Sequence, residues 1–245
     1  MAKVRADQRL VELGLADSRA RAQALILGGK VLLADRPVSK AGQLVLSDSH
    51  LRLKEKDHPW VSRGGLKLEH ALAHFDWSID GAVVTDIGAS TGGFTHVALT
   101  KGAKHVFAVD VGHGQLDWRL RNDPRVTVLE RTNARHLTAE AIPQPLDLIV
   151  CDASFISLKT VLPASLALAA PKARLVALIK PQFEVGKGQV GKGGVVRDAA
   201  LHQEVCDTIA TWLTGDVGWT VIGITQSPIQ GPKGNIEFLI AAQRP

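Results

Sequence analysis

From about residue 61 onward the chain alternates short apolar runs with amphipathic stretches, and that alternation limits the folds open to it. Apolar runs at 82–87, 105–110, 126–129, 147–152 and 174–180 have the length of buried strands. Helical patterns at 65–74, 94–100, 115–121, 155–169 and 198–213 separate or flank them. Strands that alternate with helices predict βαβ units and a mostly parallel sheet, an α/β architecture. Two last apolar runs, at 217–226 and 237–242, follow each other with no helix between them and predict an antiparallel hairpin at the sheet end.

The first sixty residues read differently. Patterns at 7–15 and 19–27 predict two short helices, the second capped by the pair Asp17 and Ser18 and stopped by Gly28 and Gly29. Runs at 30–33, 45–46 and 51–53 predict short strands, and 34–37 a turn. This places a small α+β domain over residues 1–59, a linker over 60–64 and the α/β domain over 65–245. Trp60 has the chemistry to stack on a base or to pin the two domains, and its place in the connection favours the second.

Charge divides along the same line. Residues 1–63 hold 12 Lys/Arg against 7 Asp/Glu, while residues 64–245 hold 17 of each. All the excess positive charge therefore belongs to the small domain, as expected of a module that meets a polyanion. Charge alone does not separate this from a solvated face. No run approaches 18 consecutive apolar residues, so no membrane span is expected. The first residues lack the apolar core of a signal peptide, and the two cysteines, Cys151 and Cys206, make neither a disulfide framework nor a metal site. A reduced, cytoplasmic setting follows as the expectation, with no metal.

The strongest local signal is the segment 83–94, an apolar strand running through Asp86 into a glycine-rich turn and a helix. Its turn, Gly88-Ala89-Ser90-Thr91-Gly92-Gly93-Phe94, lets the backbone approach a ligand closely. The turn contains no lysine, which disfavours a phosphate-cradling loop. The acid beside it suits a ligand with cationic groups, such as the amino and sulfonium groups of S-adenosyl-L-methionine. Asp110 ends the next strand, where a carboxylate can accept both hydroxyls of a ribose, and Val111 follows it. Asn133, after the third strand, has the chemistry to meet an adenine edge and equally that of a turn former. Asp152 ends the fourth strand. Lys180 ends the fifth, directly after four apolar residues. If the last strand runs antiparallel beside the fifth, Glu237 begins at the same rim. Asp152, Lys180 and Glu237 then converge, and Lys67 on the preceding helix closes the group.

At this point the chain resembles a known family. Segments 62–68, 86–94, 151–157, 179–184 and 231–237 are similar to the TlyA (haemolysin A) family of ribosomal RNA methyltransferases. Segment 5–40 resembles an S4 RNA-binding domain, which that family carries. The resemblance implies a Rossmann-like class I methyltransferase sheet of the FtsJ-like kind, mostly parallel with an antiparallel last strand, behind an S4-like domain. It also implies a Lys-Asp-Lys-Glu tetrad at Lys67, Asp152, Lys180 and Glu237. The implied reaction is methylation of ribose 2′-hydroxyls on cytidines of ribosomal RNA, with S-adenosyl-L-methionine as cofactor. The partners expected are ribosomal RNA or ribosomal subunits, with no membrane and no obligate protein partner.

The residue types agree with that chemistry. A ribose hydroxyl is a poor nucleophile until it loses its proton, and a lysine serves as base only when neighbouring cations and desolvation favour its neutral form. Lys180 is the expected base, with Lys67 as the neighbouring cation and the two carboxylates as orienting groups. Arg5, Arg9, Arg19, Arg21, Lys30, Lys40 and Arg63 are expected to meet phosphates. The basic glycine-rich loop 186–194, with Lys187 and Lys192, is either a substrate clamp or an ordinary surface loop. Three other readings compete: a ribosome-assembly factor that binds RNA without catalysis, a membrane-lytic haemolysin, and a methyltransferase that acts on a protein or small molecule. The absence of a long cationic amphipathic helix disfavours the second.

Overall fold

The computed structural model describes residues 3–16, 18–54, 58–186 and 188–245, in two compact units, Met1–Pro59 and Trp60–Pro245. The first unit runs β1 (Lys3–Arg5), α1 (Ala6–Glu12), α2 (Arg19–Leu27), β2 (Val31–Leu33), β3 (Arg36–Pro37), β4 (Leu44–Leu46) and β5 (Leu51–Leu53). β1 pairs with β4, and β2 lies between β3 and β5, all antiparallel. Leu10, Ala22, Ile26, Val31, Val38, Val45 and Leu51 form its core.

α1 stops at Glu12, three residues before the predicted end, because Gly14 is left-handed (φ 68) and Leu15 N–H donates back to Leu10 O. That closure ends a helix with its last carbonyls satisfied. At α2, Ser18 accepts from Arg21 N; its predicted partner Asp17 lies outside the described residues. The predicted turn at 34–37 is only two residues long, and Arg36–Pro37 already pair with β2. Pro37 is tolerated there because β3 is an edge strand.

The second unit begins with Trp60, which sequence assigns to the linker. Its ring is buried in that unit's core, and its Nε1 donates to Glu69 Oε2 at 3.0 Å. α3 (Gly65–His74) follows, then β6 (Val83–Ile87), α4 (Gly93–Thr100), β7 (His105–Val109), α5 (Trp118–Arg121) and β8 (Val126–Leu129). The second half holds β9 (Leu146–Cys151), α6 (Leu158–Val161), α7 (Pro163–Ala167), β10 (Ala169–Ile179), α8 (Pro181–Glu184), α9 (Ala199–Gly215), β11 (Thr220–Gln226) and β12 (Phe238–Gln243).

The seven strands lie in the order β11-β12-β10-β9-β6-β7-β8, and β12 runs against the other six. Alternate residues of each strand feed two cores, one per face. Ile87, Phe107, Ile149 and Ala177 pack on one side, and Val84, Val106, Val150 and Val176 on the other. With both faces covered, the strands read as unbroken apolar runs. Strand order reverses between β6 and β9, so a crevice opens at their carboxyl ends.

α5 and β11 each begin three residues later than predicted, and two further elements differ more. The helix expected at 155–169 is split into α6 and α7, because Pro163 lacks the N–H that would continue it. β10 starts at Ala169, five residues early, and its pairing with β9 slips before Arg174, with Lys172 left-handed (φ 62). That irregularity breaks the two-residue alternation by which a strand is recognised.

Candidate active site

The glycine turn joins β6 to α4 at the strand-order reversal. Gly88 has φ 78, and a Cβ there would lie 2.9 Å from the Ala153 backbone, so only glycine lets these two strand ends come together. Asp86 is buried. Its Oδ2 accepts from Thr95 N (2.9 Å) and Thr95 Oγ1 (2.7 Å), whereas Oδ1 has no partner. Burial pushes its pKa up to about 7, against the pull of the Thr95 hydrogen bonds. Asp110 accepts from Ser90 N (2.8 Å) on one oxygen and Gly112 N (2.7 Å) on the other. Each oxygen keeps a further lone pair for a ligand hydroxyl.

Two adjoining cavities use these groups. One, of about 240 Å³, is lined by Arg63, Lys67, Asp86, the turn 88–94 apart from Gly92, and Asp152. The other, of about 470 Å³, is lined by Asp110, Val111, Asn133, Ala153, Phe155 and their neighbours. The residues fit a cofactor with a cationic amino-acid end and a nucleoside end: an orphaned carboxylate oxygen and open backbone in the first cavity, a diol acceptor and apolar walls in the second. Asn133 lines the second cavity, and its Oδ1 also caps the turn after it by accepting from Arg135 N (3.1 Å).

Lys67 and Asp152, which line the first cavity, belong to a charged group of four. Lys67 Nζ lies 3.3 and 3.2 Å from the two Asp152 oxygens and 2.7 Å from Glu237 Oε2. Lys180 Nζ lies 2.7 Å from Asp152 Oδ1 and donates to Asp152 O and Ser154 Oγ, each at 2.9 Å. Lys67, Lys180 and Glu237 are buried, and Glu237 Oε1 has no partner. The structure thus brings together all four residues singled out from sequence. It adds that Asp152 stands between the two lysines, so their mutual repulsion acts across a shared carboxylate. Each position follows from the topology: Asp152 and Lys180 directly follow parallel β9 and β10, and Glu237 directly precedes antiparallel β12. α3 carries Lys67 across the same rim.

The expected RNA-contacting residues are distributed differently. Arg5 and Arg19 both engage the buried Asp7, at 2.9 and 3.4 Å, and hold its carboxyl well below the usual range. Arg9 pairs with Glu12 at 3.1 Å. Arg21, Lys30, Lys40 and Lys192 are exposed. Arg63 is exposed and donates to Gln230 O at 3.3 Å, and Lys187 lies outside the described residues. Sequence reasoning missed Ser154, which holds Lys180, and Glu184, which accepts from Ser157 Oγ (2.6 Å) and Leu158 N (2.8 Å). It also missed Phe155 as a wall of the second cavity; this residue is left-handed (φ 64) and packs against Phe183. All three fall in segments 151–157 and 179–184, so the segments were visible although the contacts were not.

Residues 60–244 match the FtsJ-like methyltransferase family, and residues 4–50 match the S4 domain. The chain is 50% identical over 239 residues to the 16S/23S rRNA (cytidine-2′-O)-methyltransferase TlyA of Mycobacterium tuberculosis, covering 97% of this chain and 89% of that one. A solved structure from Streptococcus thermophilus that bears the name hemolysin is 41% identical, with a TM-score of 0.77, and covers 100% of this chain and 89% of its own. At the level of fold alone, the N-methyltransferase NodS of Bradyrhizobium japonicum, in complex with S-adenosyl-L-homocysteine, superposes with a TM-score of 0.51 at 16% identity, over 78% of this chain and 90% of its own.

Proposed function

The chain belongs to the TlyA family of FtsJ-like methyltransferases, and on that premise we propose that it methylates ribose 2′-hydroxyls of ribosomal RNA, on cytidine as in its mycobacterial relative. The observation that carries the reading is the charged group of four, two of whose members, Lys67 and Asp152, line a cavity together with the glycine turn. S-adenosyl-L-methionine supplies an electrophilic methyl group when bound. Asp86 and the turn 88–94 would hold its amino-acid end, and Asp110, Val111 and Asn133 its nucleoside end.

The protein's own task is to place one hydroxyl and take its proton. Lys180 would accept that proton, and the bound cofactor would supply the methyl group to the ribose oxygen and leave as S-adenosyl-L-homocysteine. Asp152 and Ser154 fix the direction of the Lys180 amine, and Glu237 holds Lys67 against Asp152. Lys67 stabilises negative charge on the oxygen while the proton leaves. Orientation supplies much of such a transfer, and the hydrogen bonds around both lysines are suited to that role.

The test is transfer of a tritiated methyl group to ribosomal subunits. Lys180→Ala is expected to bind RNA and cofactor like the wild type yet lose roughly 10²–10⁴-fold in rate, the usual contribution of a general base. Undiminished transfer would remove Lys180 from the mechanism. Label that survives ribonuclease would move the substrate from RNA to protein. An assembly factor without catalysis would give no label with any variant.

A further inference from the structure

α5 is only four residues long, and its first residue, Trp118, is 71% exposed. So short a helix has little stability of its own. Its position is set by what lies beneath it. Leu116 and Leu120 are buried and fill the space that a side chain at Gly92 would need. Asp117 N donates to Thr91 O at 3.2 Å, and the Asp117 carboxylate accepts from Arg119 N. The indole is therefore held outward on a firm mount, and that mount is the glycine turn of the cofactor cavity.

Tryptophan is enriched among the residues that carry binding energy at contact surfaces, and here the ring stands in water on a fixed element. The charge around it narrows the partner. Residues 111–136 hold five arginines against three acids, whereas residues 64–245 as a whole are neutral. Arg119 pairs with Asp117, Arg121 with Glu130 and Arg125 with Asp123, which leaves Arg131 and Arg135 as the local excess. Arg131 is held left-handed (φ 53), and Arg135 lines the nucleoside-side cavity. An exposed aromatic face in a cationic field is suited to a nucleobase carried on a phosphate chain.

We propose that Trp118 is a stacking platform for an unpaired nucleobase of the RNA that flanks the target nucleotide. The proposal rests on the reading of the protein as an RNA methyltransferase. A flat ring accepts any base, so Trp118 adds affinity and orientation but no choice of sequence.

The experiment measures methyl transfer by the full chain against increasing ribosomal subunits, with S-adenosyl-L-homocysteine binding followed by calorimetry. Trp118→Ala is expected to raise KM for the RNA substrate about 10-fold, the size of one base–aromatic stack. kcat and cofactor affinity stay at wild-type values, and Trp118→Phe recovers most of the loss. A Trp118→Ala enzyme with unchanged KM, beside an active wild type, overturns the platform and leaves the methyltransferase reading standing. Equal losses in the Phe and Ala variants also overturn it, because stacking is then not what the position supplies. A wild type that transfers no methyl group to RNA overturns both.

Discussion

Asp86 is a carboxyl group sealed from water, with one oxygen held by Thr95 and the other without a partner. Its pKa, pushed up to about 7 by burial, sets a sign that is open to measurement. An acid whose pKa rises on folding favours the folded state while protonated. Its contribution is full below the ordinary aspartate value and is lost as pH rises through about 7. The melting temperature of the ligand-free protein is therefore expected to fall more steeply between about pH 4 and 7 than that of Asp86→Asn. A cationic amino group beside the free oxygen acts the opposite way, because it favours the ionised carboxylate. Affinity for S-adenosyl-L-homocysteine is expected to tighten over the same range, and calorimetry at several pH values would show it. If Asp86→Asn keeps the same pH dependence, another group is responsible.

Elements are joined at the rim by side chains that no periodicity reveals. Asn235 is buried two residues before Glu237. Its Oδ1 accepts from Val196 N (3.2 Å), and its Nδ2 donates to Gly194 O (3.0 Å) and Pro232 O (3.1 Å). It thus fastens the return leg of the glycine-rich loop after α8 to the turn that delivers Glu237. Asn235→Ala leaves the buried Val196 N–H unsatisfied, at a cost of about 1–3 kcal/mol. The expected result is a lower urea midpoint, together with faster tryptic cleavage between α8 and α9. Cleavage at the wild-type rate would mean that the loop is held by other contacts. The same scale accounts for the division of helix 155–169 and for the start of β10 ahead of its apolar run. Pro163 removes one backbone donor, and the slip before Arg174 resets the face on which each side chain falls.

For the whole molecule, composition and architecture divide in the same way. The second unit carries its own two cores, and residues 64–245 are neutral; the positive excess belongs to residues 1–63. A chain of residues 60–245 is expected to bind S-adenosyl-L-homocysteine as the full chain does. It should need more RNA for half-maximal rate, and its RNA affinity should vary less with salt. The log–log slope is expected to shrink by roughly 0.7–0.9 for each phosphate that the first unit neutralises in the full chain. Filter binding across a salt series measures this. Equal slopes for both chains would take the first unit out of RNA binding. Among the described residues no helix is long and apolar enough to cross a membrane.

The order of strands and helices, the strand-end positions of Asp86, Asp110, Asp152 and Lys180, and the place of Glu237 against them were legible in sequence. Alternating apolar runs report where a strand lies and where it ends, and the handedness of βαβ units leaves few ways to arrange them. Tertiary structure decided what those residues do to one another. Lys67 meets Asp152 across 85 positions and Glu237 across 170, while Lys180 meets the Asp152 backbone across 28. Local pattern reports the face a residue takes on its own element. It carries no information on which oxygen of a distant carboxylate an ammonium group will reach. The sharing of Asp152 by two lysines, the orphaned oxygen of Asp86 and the outward ring of Trp118 arise only once the elements pack, because each depends on what neighbouring elements leave open.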